Sequence, residues 1–174
     1  TKEAVRALKR LGATVDEVDV GWDYTVLDAW QTWWEGLFAA LCGNLLPRWR
    51  HQMTPMVVKV LEAGQQHSGV RLYQSNMARG AMWQKLGPIL EKYDALICPT
   101  CAVSSLDAEH DSLASDYRIN GKRVPAYVGW AMTYPFNMMS WCPVASIPSG
   151  FGSTQMPTGL QIVGRTFDDP TVFR

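Results

Sequence analysis

An α/β fold, a mixed sheet flanked by helices, is what this sequence predicts, and three observations carry the expectation. Two long stretches, around residues 30–45 and 71–92, place apolar side chains at helical spacing. Three short apolar runs, at 94–98, 144–147 and 160–163, are bounded by Gly, Pro or polar residues and read as buried strands. Near the start, a helical pattern, a glycine and an alternating Val pattern follow one another, a common α/β step.

In chain order, residues 2–11 read as a helix, with Ala4, Val5, Leu8 and Leu11 on one face, Thr1 placed as its cap and Gly12 ending it. Val15, Val18 and Val20 alternate with acidic residues and predict a strand. Trp30, Trp33, Trp34, Leu37, Phe38, Leu41 and Leu45 form the cleanest helical stripe, and large aromatics at that spacing predict core packing. Trp33 and Trp34 point apart, which leaves one of the pair for a cleft or a partner. Thr54-Pro55 opens a short helix that ends near Gly64, and a polar link at 65–69 follows. Residues 71–92 predict a helix with Tyr73, Met77, Ala81 and Leu86 inward, kinked or restarted at Gly87-Pro88 because proline lacks a backbone donor.

After the strand at 94–98, residues 104–116 are polar and predict a loop. Asn120-Gly121 is a strong hairpin signal, since both residues tolerate positive φ. Residues 125–139 predict a helix or an apolar turn. The strand at 144–147 is expected to stop at Pro148-Ser149-Gly150, with a loop of roughly ten residues before the strand at 160–163, the two forming a hairpin or neighbouring pair. Asp168-Asp169-Pro170 announces a helix, yet few residues follow Pro170. Together with the start at Thr1, this predicts a piece of a longer protein, cut at both ends.

A chain of 174 residues is long enough for one domain with a core. Sixteen basic and sixteen acidic residues cancel, which argues against nucleic acid as a partner. No apolar run approaches the ~20 residues of a membrane span, so no membrane partner is expected. The N-terminus has no signal-peptide pattern, and the four cysteines are expected to be reduced in the cytoplasm.

Chemistry-bearing groups are sparse. Cys98-Pro99-Thr100-Cys101 follows a strand, as a redox C-x-x-C does in thioredoxin-like folds. No amphipathic helix follows it, and Asp107, Glu109 and Asp111 crowd the region, so a dithiol redox module stays a minor alternative. One C-x-x-C without a second pair does not make a zinc site, and no metal is expected. Cys101, His110 and Asp111 could be written as a nucleophile system, but adjacent His and Asp rarely face one another. Asn137 stands in an apolar run and, if buried, must find hydrogen bonds by bracing a loop or touching a substrate amide.

The stretch N-x-x-x-x-P-x-x-S-x-P from Asn137, then G-x-P-x-G-L-Q-I-V-G-R to Arg165, resembles the C-terminal half of the amidase signature family. Asp168-Asp169-Pro170 and Y-D-A-L-I-C-P-T from Tyr93 continue the resemblance in order. It implies that residues 1–174 are a partial amidase signature domain, its C-terminal portion. It implies hydrolysis of carboxamide C–N bonds by a Ser nucleophile, a second Ser on a cis peptide bond and a Lys, with no cofactor. Those groups lie upstream of the matched part in the family. No Gly/Ser-rich run of that kind occurs here; the nearest, Ser104-Ser105, is followed by Leu106-Asp107. The expected catalytic set within this chain is therefore empty, and the chain alone is expected to be inactive.

What the chain is expected to supply is the wall of the substrate pocket: Arg79, Trp130, Phe136, Asn137, Met138 and Trp141. The implied partners are a small-molecule amide and the missing N-terminal part of the same protein, with a homodimer also considered. In the A subunits of tRNA-dependent amidotransferases, also of this family, an Arg at the position of Arg79 is implied to hold the glutamine carboxylate. An Asp aligned near Trp130 is implied to hold its amino group. A neutral Trp cannot replace that carboxylate, so a glutamine amidotransferase is the alternative and an amidase for a less polar amide the expectation.

Overall fold

The computed structural model describes residues 1–173. Its elements are α1 (Lys2–Arg10), α2 (Tyr24–Cys42), α3 (Leu46–Trp49), α4 (Pro55–Gln66), α5 (Gly69–Lys92), β1 (Leu96–Pro99), β2 (Arg118–Ile119), β3 (Lys122–Arg123), α6 (Tyr134–Met139), β4 (Val144–Phe151), β5 (Pro157–Val163) and α7 (Asp169–Val172). The class is α/β, as expected. The main sheet has the order β1-β5-β4, and both of its ladders are antiparallel. Parallel pairs do not occur among the described strands.

The long helices begin where side chains can satisfy free backbone donors. Asp23 caps α2 by accepting from Thr25 N at 2.8 Å, and Ser68 caps α5 by accepting from Arg71 N at 3.2 Å. Pro55 sits in the first turn of α4, where a missing N–H costs nothing. Helix α2 packs on α4, α5 and α6. Gly64 lets α4 come close: a Cβ there would overlap the Glu35 carbonyl oxygen of α2 and stand 2.7 Å from Ala39 Cβ.

Strand β5 is the centre of the sheet, with Leu160, Gln161 and Val163 buried. It pairs Val163 with Leu96 of β1 and with Val144 of β4. The main core joins Trp30 of α2, Met82, Leu86 and Leu90 of α5, Phe136, Met138 and Met139 of α6, and Val163. A smaller cluster of Leu46, Val58 and Leu61 lies under α3 and α4. The tight hairpin forms as expected: Asn120 (φ 51°) and Gly121 (φ 76°) both take left-handed backbone between β2 and β3, the geometry that matches strand twist.

Several expectations are corrected. Val15, Val18 and Val20 are half-buried, but residues 13–23 form no strand, because no described strand lies beside them to accept a ladder. Helix α5 continues through Pro88 without a restart. Pro88 and Gln84, whose carbonyl lacks its usual donor, are both exposed, where water can serve. The inward face of α5 is Ser75, Met82, Leu86 and Leu90, whereas Tyr73 and Met77 are 68% and 64% exposed. Strand β4 passes through Pro148 with an irregularity between Pro148 and Gly150, so the loop before β5 is shorter than expected. An edge strand tolerates proline because one of its sides has no ladder to satisfy.

The Trp-rich stripe is core only in its first half. Trp30 stacks on Trp34 at 5.1 Å, and Trp34 reaches Tyr127 at 6.2 Å, while Trp33 also packs on the core. Leu37, Phe38, Leu41 and Leu45 are exposed. So are Val144, Ile147 and Phe151 on the edge strand. The accessible surface is 11220 Å². A compact monomer of this mass is expected to show about 8,500 Å².

Candidate functional site

Two clefts are open on the described residues. The larger, about 740 Å³, lies between the segment after β1, Trp130 and the β4–β5 hairpin. Its apolar wall includes Trp130, Leu106 and Phe151, and its hydroxyls include Thr100, Ser149 and Thr158. The smaller, about 490 Å³, is bounded by Trp83, Trp141, Cys142 and Phe167.

The wall of the larger cleft is built from backbone pairing. Thr100 N donates to Gly159 O (3.1 Å), Ala102 N to Trp130 O (2.8 Å) and Met132 N to Thr100 O (2.8 Å). Cys101 and Ala131 thus form an antiparallel bridge that carries the extension of β1 alongside the segment before α6. Beneath it, Gln161 is 1% exposed, and its Nε2 donates to Pro99 O (2.9 Å) and Met132 O (3.1 Å). The other end of the Trp130 segment is held by Tyr127, whose hydroxyl accepts from Gln31 Nε2 at 2.6 Å. Burial and the neighbouring Glu35 push the Tyr127 phenol upward, with Gln31 opposing them.

The expected site residues do not share one cavity. Trp130 lines the larger cleft and Trp141 the smaller. Arg79 stands behind Trp141, its guanidinium carbon 5.7 Å from the ring centre, and donates to Met139 O (3.1 Å) and Asn76 Oδ1 (3.0 Å). Its Nε is buried without a partner. Phe136 and Met138 are core side chains, 6% and 0% exposed. Asn137 is exposed, so the bracing that its burial would require does not arise; its carbonyl accepts from Ser140 Oγ at 2.6 Å.

Chemically, the larger cleft can hold a ligand; Lys2 and Glu3 also line it, but among the described residues none of its hydroxyls is hydrogen-bonded to a base. Ser149 Oγ and Thr158 Oγ1 lie 3.1 Å apart, and Thr158 donates to Gly150 O. Neither hydroxyl has a hydrogen bond to a histidine, lysine or carboxylate among the described residues. Burial pushes the Cys98 thiol up to about 11, with the Gln161 contact opposing, which weighs against the dithiol alternative. All four cysteines are free, and no metal-binding group of His, Cys, Asp or Glu forms among the described residues. Sequence reasoning passed over Gln161. The signal for Gln161 was a lone polar residue between Leu160 and Ile162 in a strand due to be buried.

This arrangement of helices around an antiparallel β1-β5-β4 sheet matches part of the fold of amidase signature enzymes. A bacterial aryl acylamidase of that family superposes with a TM-score of 0.84 at 25% identity, over 98% of this chain and 37% of the other. A crystal structure of an amidase gives 0.82 at 22% identity, over 98% of this chain and 38% of the other. The amidase family model matches residues 1–173, and the chain belongs to the amidase family. An acylamidase of Rhodococcus erythropolis is 26% identical over 99% of this chain and 36% of its own length. The A subunit of the glutamyl-tRNA(Gln) amidotransferase of Granulibacter bethesdensis is 39% identical over 46% of this chain and 14% of its own. The chain thus spans about a third of the acylamidase and less of the amidotransferase protein. Among the described residues, no helix is long and apolar enough to cross a membrane.

Proposed function

We propose that this chain is the C-terminal portion of an amidase signature domain and forms the substrate-pocket wall of an enzyme that hydrolyses carboxamide C–N bonds. The observation that carries the reading is the family match along residues 1–173, joined to a cleft with binding groups but no catalytic pair. The nucleophile comes from outside the chain. By the family resemblance, a Ser oxygen bonds to the acyl carbon, and the C–N bond breaks. A Lys acts through the second Ser to move the proton to the departing amine. Water then cleaves the acyl ester, and backbone donors hold the oxyanion in both steps. Trp130 is the chain's main contact with the acyl group, and Trp141, with Arg79 behind it, extends the surface at the second cleft.

The exposed apolar faces support a larger assembly. Leu41 on α2 is 66% exposed, and Phe151 is 72% exposed on β4, an edge strand of the described sheet. In the reading, the N-terminal part of the same protein covers them. The short, strong likeness to the A chain of an amidotransferase keeps glutamine transfer as a second reading. Against it, Trp130 offers a glutamine ammonium no charge, and Arg79 is already bonded to Met139 O and Asn76.

The test is hydrolysis of a simple aryl amide and of glutamine. The chain alone should hydrolyse neither, and the chain extended by its upstream coding sequence should hydrolyse the aryl amide. Turnover by the chain alone, or glutamine preferred by the extended protein, overturns the reading.

A further inference from the structure

We propose that Gln161 is the positioning residue that sets where Trp130 stands in the wall of the larger cleft. The proposal rests on the reading that this cleft is the acyl pocket of an amidase. Gln161 is buried in the central strand, with three polar neighbours within reach of one amide nitrogen. Nε2 lies 2.9 Å from Pro99 O, 3.1 Å from Met132 O and 3.4 Å from Cys98 Sγ. Its two hydrogens match the two carbonyls, which belong to different segments. Pro99 ends β1, and Met132 lies two residues beyond Trp130. A single rigid amide therefore fixes the spacing of the strands that flank the Cys101–Ala131 bridge.

Trp130 depends on this spacing. Its carbonyl accepts from Ala102 N, and the next bond outward joins Met132 N to Thr100 O. Without the Gln161 donors, two carbonyls lose their partners beneath the bridge, and the bridge must shift to find others. Movement of the Trp130 ring changes the depth of the pocket, which is the dimension that reads acyl length. Size discrimination in an apolar pocket changes about tenfold for one methylene.

The experiment uses Gln161→Met in the extended protein, since Met keeps the volume and length and removes both donors. Lys59→Ala, at an exposed position of α4, serves as the control that leaves both the brace and the Trp130 segment intact. Backbone hydrogen exchange at 100–102 and 130–132 and the ratio of kcat/KM for long and short acyl anilides are both measured. The expected result is faster exchange at both segments and about a tenfold change in the acyl-length ratio, carried by KM more than kcat. Unchanged exchange in a folded Gln161→Met protein overturns the proposal, as does faster exchange with an unchanged ratio. If Gln161→Met does not fold, the wild-type side-chain amide protons of Gln161 decide. Protection as slow as that of core backbone amides supports the brace, and rapid exchange overturns it. A wild-type extended protein that cleaves no amide ends the amidase reading, and the exchange data alone then decide the brace.

Discussion

At the scale of single residues, the cysteines show how burial settles reactivity. Cys98 and Cys142 are both pushed up to about 11 because the partly buried thiolate would lose its water. In the unfolded chain such thiols ionise near their ordinary value of about 8.5. The contribution to stability is therefore full below that pH and is lost as pH rises through about 11. Urea melts across this window should show falling stability, and Cys98→Ser with Cys142→Ser should flatten the decline. Alkylation by iodoacetamide should stay slow at neutral pH at both positions. Rapid labelling of Cys98 near pH 7 would contradict its burial and revive the dithiol reading. The C-x-x-C motif is plain in the sequence, but the raised Cys98 thiol is not, since desolvation depends on what packs around Cys98.

At the scale of elements, local signals performed well where the chemistry is local. The Asn120-Gly121 turn, the Pro55 start of α4 and the β4–β5 pairing follow from backbone preferences of adjacent residues. Pro88 is the counterexample, because α5 continues through it. The core contacts of Leu86 and Leu90 hold the last turns in place on either side of the lost hydrogen bond. Pro88→Ala should restore that bond and raise stability by about 1–2 kcal/mol after the loss of proline's restriction of the unfolded chain. A denaturant midpoint below wild type would show instead that the helix is bent to suit the proline. The face that α5 turns inward was misassigned because two apolar stripes run along it, and only the neighbours choose between them.

At the scale of the whole molecule, the chain has more surface than its mass warrants, and its exposed side chains include large apolar ones on α2 and β4. The exposed half of the α2 stripe and the free edge of β4 lie where contiguous apolar surface signals an interface. The chain alone should bind a hydrophobic dye and self-associate in sedimentation, and both should weaken once the upstream part is present. Ile147→Lys places a charge on the open edge, where the residue is 42% exposed. It should reduce self-association while changing stability by less than about 1 kcal/mol. A monodisperse chain with no dye binding would remove the case for a covering partner, and a discrete dimer unaffected by Ile147→Lys would move the interface to α2.

The long helices, the three strands of the main sheet, the turn chemistry and family membership were determined by the sequence alone. These depend on spacing within a few residues or on several motif blocks in fixed order. Only the tertiary structure decided that residues 13–23 form no ladder with any described strand and that Phe136 and Met138 belong to the core. It also decided that Trp130 and Trp141 face different clefts and that Gln161 joins two segments through one amide. Burial and hydrogen-bond partnership are properties of residues far apart in the chain, so no local pattern can carry them.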